Sequence, residues 1–296
     1  MEYTWHKTDS QAETTKHFLQ QKGISHRLIS RLKKGQGRLL VDGQDRKPHF
    51  QLAQPAAVTV IFPPEKEDPK VPASFEPLDI VYEDENWLVV DKPAGLTSIP
   101  GPSNREDTLV NRVKGHLKQK GAQDLVPHVI TRLDRFTSGL VLVAKHRFAQ
   151  GLINKQVEGH QIKKRYYALV EGSLPRQHGK IDFPLGRIKD SFRRGRDPEG
   201  KPALTEYWVK EEFPGRASLA DVRLHTGRTH QIRAHFAGIG HPLLGDELYG
   251  GKTDLIGRQA LHAYSLEFTD PFTQKTKKFK SSISIDIKKV LWYLNN

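Results

Sequence analysis

Ile130-Thr-Arg-Leu-Asp134-Arg-Phe-Thr-Ser-Gly139-Leu-Val-Leu-Val-Ala-Lys145 is the stretch around which the chain is organised. Asp134 sits between Arg132 and Arg135, a Thr-Ser-Gly turn follows, and Leu140 to Ala144 is an unbroken apolar run. The length of that run and its β-branched content predict a buried strand. A charged loop therefore empties into the core of a sheet. The carboxylate of Asp134 is either pinned by an arginine for structural reasons or held ionised for chemistry, and the local sequence leaves both readings open.

Working outward, Leu78 to Gly95 reads as a β-hairpin with Glu83–Asn86 at its turn. Lys92-Pro93 stops its second strand, because proline cannot donate to a ladder. Thr108 caps an amphipathic helix reaching Gln119, with Leu109, Val113 and Leu117 inward. Beyond the central run come a helix around Phe148–Val157, a strand Tyr166–Val170 and a basic, turn-rich segment over 189–201. Ser218–His225 alternates as a strand, and a helix runs from about His230 to Gly238. Leu261–Phe268 and Phe279–Ile285 read as late strands, and Ile287, Val290, Leu291 and Leu294 mark a final helix. Many short strands with interspersed helices predict an α+β fold, a mostly antiparallel mixed sheet flanked by helices.

Upstream, residues 12–34 read as two helices broken at Gly23, with Ser25 capping the second. That second helix carries Arg27, Arg31, Lys33 and Lys34 beside its apolar stripe. A strand with an Asp-Gly turn follows Arg38, and Val58–Phe62 closes the unit. Helix, basic helix and β-ribbon resemble a small RNA-binding module first known from a ribosomal small-subunit protein. Residues 63–77 hold five prolines among alternating charges, the composition of a stiff linker. The expected division is thus a small RNA-binding module over 1–62, a linker over 63–77 and a catalytic domain over 78–296.

The net charge of +13 over 296 residues favours a polyanionic partner, most often nucleic acid. No apolar run approaches the ~18 residues of a membrane span, and the first residues lack an apolar signal segment, so a cytoplasmic location is expected. The absence of cysteine excludes disulfides and thiolate metal sites. His225, His230, His235 and His241 are spaced by five, five and six, whereas a zinc-binding helix needs histidines at i and i+4 with a carboxylate between them. No metal site is expected. No Gly-x-Ser-x-Gly elbow, phosphate loop or dinucleotide fingerprint is present either, so no cofactor is implied. Two further stretches stand out: Lys163-Lys-Arg-Tyr-Tyr-Ala-Leu-Val-Glu-Gly172, where bases run into an aromatic strand, and Leu224-His-Thr-Gly-Arg-Thr-His-Gln-Ile-Arg-Ala-His235, where Arg228 and Arg233 flank a helix start suited to anions.

Together these stretches resemble the motifs of the RluA-type pseudouridine synthases, which isomerise uridine in ribosomal or transfer RNA. Val89–Gly95 resembles the family's first motif, Arg132-Leu-Asp134-Arg-x-Thr-Ser-Gly139 its catalytic loop and Lys164-x-Tyr166-x-Ala168 its tyrosine strand. Leu224–Arg233, Gly240–Gly250 and Leu261-His262-Ala resemble its later motifs, in order, across residues 78–285. The chain departs from the family at Thr131, where a histidine is usual, and at Ile99-Pro100, where His-Pro is usual. The resemblance implies that Asp134 is catalytic, that Arg233 pairs with and orients it, and that Arg132 helps hold the target uridine out of the stack. It also places Tyr166 under the flipped base and Leu261 against the same ring. Arg228, His230, Arg193 and Arg194, with Arg27, Arg31, Lys33 and Lys34 of the first module, are the expected RNA contacts, and a monomer is expected. Two rival classes make distinct predictions. A non-catalytic RNA-binding or ribosome-assembly factor would bind RNA and form no pseudouridine; a glycosidase would release free uracil.

Overall fold

The computed structural model describes residues 1–102 and 104–296. Its first unit contains β1 (Glu2–Lys7), β2 (Glu13–Thr14), α1 (Thr15–Gln21), α2 (His26–Lys33), β3 (Arg38–Val41), β4 (Gln44–Asp45), β5 (Gln51–Leu52) and β6 (Ala56–Ile61). The Ser25 hydroxyl accepts from the Leu28 amide and so caps α2, and Gly23 takes φ +91° at the break. Strand β1, which the sequence did not announce, pairs along its whole length with β6 to make the order β1-β6-β3-β4. The core under this sheet gathers Leu28, Ile29 and Leu32 of α2 and takes in Phe148 and Leu152 from a later helix. Residues 63–77 form no helix or strand and lie along α3 (Leu109–Gln119). Pro72 and Val71 carbonyls accept from Asn111 and Lys114, and a side chain at Gly115 would strike the Ser74 carbonyl.

Later come β7 (Ile80–Glu83), β8 (Trp87–Lys92), α3, β9 (His128–Val129), β10 (Ser138–Ala144), α4 (Arg147–Glu158), β11 (Lys163–Glu171), β12 (His178–Asp182), β13 (Leu185–Arg187), β14 (Arg194–Arg196), β15 (Leu204–Phe213), β16 (Ala217–Leu224), α5 (Gln231–Gly238), β17 (Leu261–Thr269), β18 (Thr276–Lys280) and α6 (Ile285–Asn295). One large sheet runs β12-β15-β16-β11-β17-β10-β8-β7, with β18 on β17 and β9 on β10. Its pairings are antiparallel except that of β10 with β17. The fold is α+β with an antiparallel-dominated sheet, as expected. The segment read as a strand over Phe279–Ile285 divides instead: the strand ends at Lys280, and Ile285 opens α6 after the Ser284 cap. The basic segment 189–201 contains β14, which pairs with β13 as a two-stranded hairpin.

Every residue of β10 is buried. Val141 and Val143 share a core with Val113 and Leu117 of α3, while Leu140, Leu142 and Ala144 share another with Ala149 and Ile153 of α4. A strand covered on both faces reads as continuous apolar sequence rather than alternation. The strand starts earlier than its apolar run, at Ser138, because Ser138 and Gly139 pair with His262 and Ala263. Gly139 has φ +114°, and a Cβ there would lie 2.3 Å from the Ala263 carbonyl oxygen. Glycine is required at that crossing. The pairing brings Leu261 next to the loop that carries Asp134, and β11 aligns Ala168 with Leu261 on the other side of β17.

Candidate active site

The Asp134 loop is held from both sides by residues 92–98. The Ser98 hydroxyl donates to the Leu133 carbonyl at 2.7 Å and accepts from the Leu133 amide at 3.2 Å. The ammonium of Lys92 is fully buried and donates to the carbonyls of Pro93, Leu96 and Arg135 at 2.8–3.1 Å. The Gly95 amide donates to the Arg135 carbonyl, and the Thr137 amide closes a turn onto the Asp134 carbonyl. The residues before and after Asp134 are thus fixed, leaving its side chain to project into the space beyond. Burial lowers the Lys92 pKa to about 7, although the charge of Asp134 works in the opposite direction.

On the far wall, β16 ends at Leu224 and the chain turns into α5. Gln231 makes that turn: its side-chain oxygen accepts from the Thr226 hydroxyl and the Arg228 amide, and its amide nitrogen donates to Leu204 and Thr205. His230 occupies the N-cap with φ +55°, a left-handed conformation uncommon for a non-glycine residue. One helical turn further, Arg233 faces Asp134 from a nearly buried position, 6% exposed.

Sequence reasoning expected Arg233 to pair with Asp134. The structure gives it a stronger partner. Its Nε and Nη2 donate to the two oxygens of Asp246 at 2.6 and 2.7 Å, a bidentate fork, whereas Nη1 reaches Asp134 Oδ2 at 3.5 Å. Burial opposes the Arg233 charge, but the hydrogen bonds to Asp246 and the charges of both aspartates outweigh it and raise its pKa. The His230 Nε2 lies 4.0 Å from the same Asp134 oxygen, and its Nδ1 is 3.2 Å from the Tyr249 hydroxyl. That hydroxyl accepts from the Arg194 amide at 2.8 Å. Burial lowers the His230 pKa, against the pull of Asp134.

Asp134, His230 and Arg233 line a cavity of about 450 Å³ that also receives Arg132, Tyr166, Arg228 and Leu261. Tyr166 and Leu261 are each 4% exposed and form its apolar floor, while Arg132 is exposed at its edge. Burial, then the negative charge of Asp134, raise the pKa of Tyr166. The five residues that the resemblance placed in catalysis or active-site support therefore converge, as do Arg228 and His230. Arg194 lines an adjoining cavity of about 390 Å³ with Arg187, Lys201 and Arg228. The Arg193 guanidinium lies 5.4 Å from the centre of the Tyr249 ring. Arg27, Arg31 and Lys33 lie on α2 and Lys34 is its C-cap; none lines either cavity.

Asp246 and Tyr249 carried no role in the sequence reading, although both lie in the Gly240–Gly250 stretch. The signal was the pairing of a buried acid with a bidentate arginine, which spacing does not reveal. Thr131, where the chain departs from the resembled family, is buried, and its hydroxyl accepts from the Leu142 amide at 2.9 Å. His225 lines the same cavity as His230, whereas His235 and His241 do not, and among the described residues no group of His, Asp or Glu is arranged to hold a metal. His225, His235 and His241 bond respectively to Glu206, to Thr205 with the Phe183 carbonyl, and to the Glu171 carbonyl.

The family model for RNA pseudouridylate synthase matches residues 86–238. An RNA pseudouridine synthase of Bacillus subtilis is 39% identical over 279 residues, 94% of this chain and 98% of the relative. The chain belongs to the RNA pseudouridylate synthase family. It is an RNA-modifying isomerase that converts uridine to pseudouridine. The ribosomal large subunit pseudouridine synthase D of Nitrosomonas europaea is 37% identical over 81% of this chain and 72% of its own length. Among solved structures, human RNA pseudouridylate synthase domain containing 4 shares the fold of this synthase with a TM-score of 0.61 at 20% identity, covering 73% of this chain and 93% of that one. The human domain containing 1 protein does so with a TM-score of 0.58 at 24% identity, covering 76% and 97%. The matched family region spans Asp134, Tyr166 and Arg233, and Asp246, Tyr249 and Leu261 lie beyond it.

Proposed function

We propose that this synthase modifies ribosomal RNA and that Asp134 is its catalytic carboxylate. The observation that carries the assignment is the convergence of Asp134 with Tyr166, Leu261 and Arg233 in one cavity whose floor is apolar and whose rim is basic. Uridine inside an RNA helix hides the atoms that react, so the nucleotide is flipped out and its base lies on Tyr166 against Leu261. Arg132, exposed at the edge, helps to hold the nucleotide out of the stack. Asp134 then acts at the ribose, on C1′ as nucleophile or at C2′ as base. The departing uracil keeps the bonding electrons as a delocalised anion, turns and bonds to C1′ through C5; C5 then releases its proton to water and N1 takes one up. The balance is redox-neutral, so the chemistry calls for no cofactor. A single carboxylate replaces the pair that hydrolytic glycosidases need, since the leaving group requires no protonation.

Arg233 sits between Asp246 and Asp134 and supplies positive charge at the carboxylate without neutralising it by a close ion pair. Asp246 fixes the plane of the guanidinium, and Arg233 in turn orients Asp134. Arg228, His230, Arg193 and Arg194 contact the RNA around the cavity. In this reading residues 1–62 are an RNA-binding module, whose exposed Arg27, Lys33 and Lys34 with Arg31 extend the basic surface, and 63–77 link it to the catalytic domain over 78–296. Ribosomal RNA is favoured by that module's likeness to a ribosomal-protein fold and by relatives named as large-subunit synthases. We assign the protein to the cytoplasm, as a monomer; no helix among its described residues is long and apolar enough to cross a membrane.

The test is release of tritium from RNA labelled at C5 of uridine. Asp134→Asn is expected to abolish release while leaving RNA binding intact, and near-normal release by that variant would refute the assignment. Mapping pseudouridines in total RNA from a strain lacking the gene, with and without its restoration, identifies the target; a missing modification confined to transfer RNA would overturn the ribosomal reading.

A further inference from the structure

Three consecutive basic residues open β11, and two of them are neutralised within the fold. Lys163 pairs with Glu267 at 2.7 Å, and Arg165 with Asp221 at 2.8 Å. Side chains alternate along a strand, so Lys164 points to the opposite face, the one that carries Tyr166. Both line the Asp134 cavity. Among the described residues Lys164 has no acidic partner: burial lowers its pKa, and no carboxylate opposes that shift. A half-buried ammonium without a counter-charge costs stability. Such an unbalanced group is expected where a ligand completes it.

Its position in the cavity selects the ligand. Tyr166 and Leu261 form the buried floor, whereas Val157 and His160, which also line the cavity, are exposed and Lys164 is only partly buried. Burial deepens along β11 from exposed Lys163 through partly buried Lys164 to buried Tyr166, so the lysine lies nearer the cavity mouth than the tyrosine. When a base is flipped inward, its sugar–phosphate backbone stays at the protein surface. A lysine at that level is a point-charge donor suited to phosphate.

We propose that Lys164 binds a backbone phosphate of the RNA next to the flipped uridine. The proposal rests on the reading of the Asp134 cavity as the uridine site. Its test uses Lys164→Met and Lys164→Arg with total RNA labelled at uridine C5, prepared from cells lacking the gene, so that the natural target is present whatever its class. Lys164→Met is expected to raise the apparent KM about tenfold, the loss of one charge-assisted contact. It should leave kcat within about twofold, and reduce the slope of log(kcat/KM) against log salt by about one. Lys164→Arg should restore the KM and the slope. A fall in kcat with KM and slope unchanged would overturn the proposal and place the lysine on the base instead; no change in any of the three would also overturn it. The unfolding midpoint of Lys164→Met, measured alongside, shows that the variant is folded. Asp134→Asn in the same assay separates the two readings. If it stays active, the cavity assignment has failed; if it is inactive while Lys164→Met keeps the wild-type slope, only the lysine proposal has failed.

Discussion

Asp246→Asn tests the architecture of the site most directly. The substitution keeps shape but removes the charge that faces Arg233. The pair is buried, with Asp246 1% and Arg233 6% exposed, and the two contacts are 2.6 and 2.7 Å long. Removing one member of a buried, bidentate ion pair costs about 3–5 kcal/mol, and an amide that retains one hydrogen bond should fall near the lower end. The remaining carboxylate near the guanidinium is Asp134, now at 3.5 Å from Nη1. We expect Arg233 to turn toward it and close that distance into a full ion pair. A displacement of about 1 Å at a reacting carboxylate costs on the order of a hundredfold in rate. Urea unfolding would read the stability loss and C5 tritium release the rate. A double-mutant cycle with Arg233→Gln should give a coupling of about 2 kcal/mol or more. Additive effects in that cycle, or a loss below about 1 kcal/mol with normal turnover, would refute the claim that Asp246 anchors Arg233.

Lys92→Met leaves the carbonyls of Pro93, Leu96 and Arg135 without their donor. Each loss is worth about 1–3 kcal/mol, partly offset by removing a buried charge; a net loss of about 2–4 kcal/mol in urea unfolding, with slower tritium release as the Asp134 loop loosens, is expected. A third prediction concerns acid. His146, His235 and His262 are buried, and burial lowers the pKa of each from 6.5 to about 4. Their folded-state values are depressed below the unfolded one, so the neutral ring favours the fold above about pH 6.5, and this contribution is lost as pH falls toward 4. At about 1.4 kcal/mol for each pKa unit, every such histidine contributes about 3 kcal/mol. Unfolding midpoints should fall steeply between pH 6.5 and 4, and His235→Gln should flatten that profile; an unchanged profile would contradict the assignment.

Much of the local structure was legible because it depends on neighbours in sequence. Ser25 and Thr108 cap their helices through the amides three residues on, and such caps need no tertiary partner. The apolar run from Leu140 announced a doubly covered strand, and the order of motifs along the chain indicated the family. Phe279–Ile285 was misread because an apolar pattern that short suits a strand and a helix start equally; the strand stops at Lys280 and the helix opens at Ile285. Strand β1 was missed because its place is fixed by pairing with β6, about fifty residues away in sequence, although exposed and inward residues alternate along it.

The candidate site divides in the same way. Sequence and the family resemblance named the residues that the proposed chemistry uses: a lone aspartate among arginines, a tyrosine on a strand and an arginine on a helix. The tertiary structure decided how they are connected. Arg233 could have paired with either aspartate, and the fold places the fork on Asp246, thirteen residues away, while holding Asp134, ninety-nine residues away, at longer range. Lys164 looks like its two basic neighbours in the sequence, and only the sheet shows that they have carboxylates and that it has none among the described residues. The physical reason is that composition and spacing report which charges exist, whereas partner choice depends on distances of a few ångströms between strands and helices remote in the chain, set by sheet register and by the parallel crossing at Gly139.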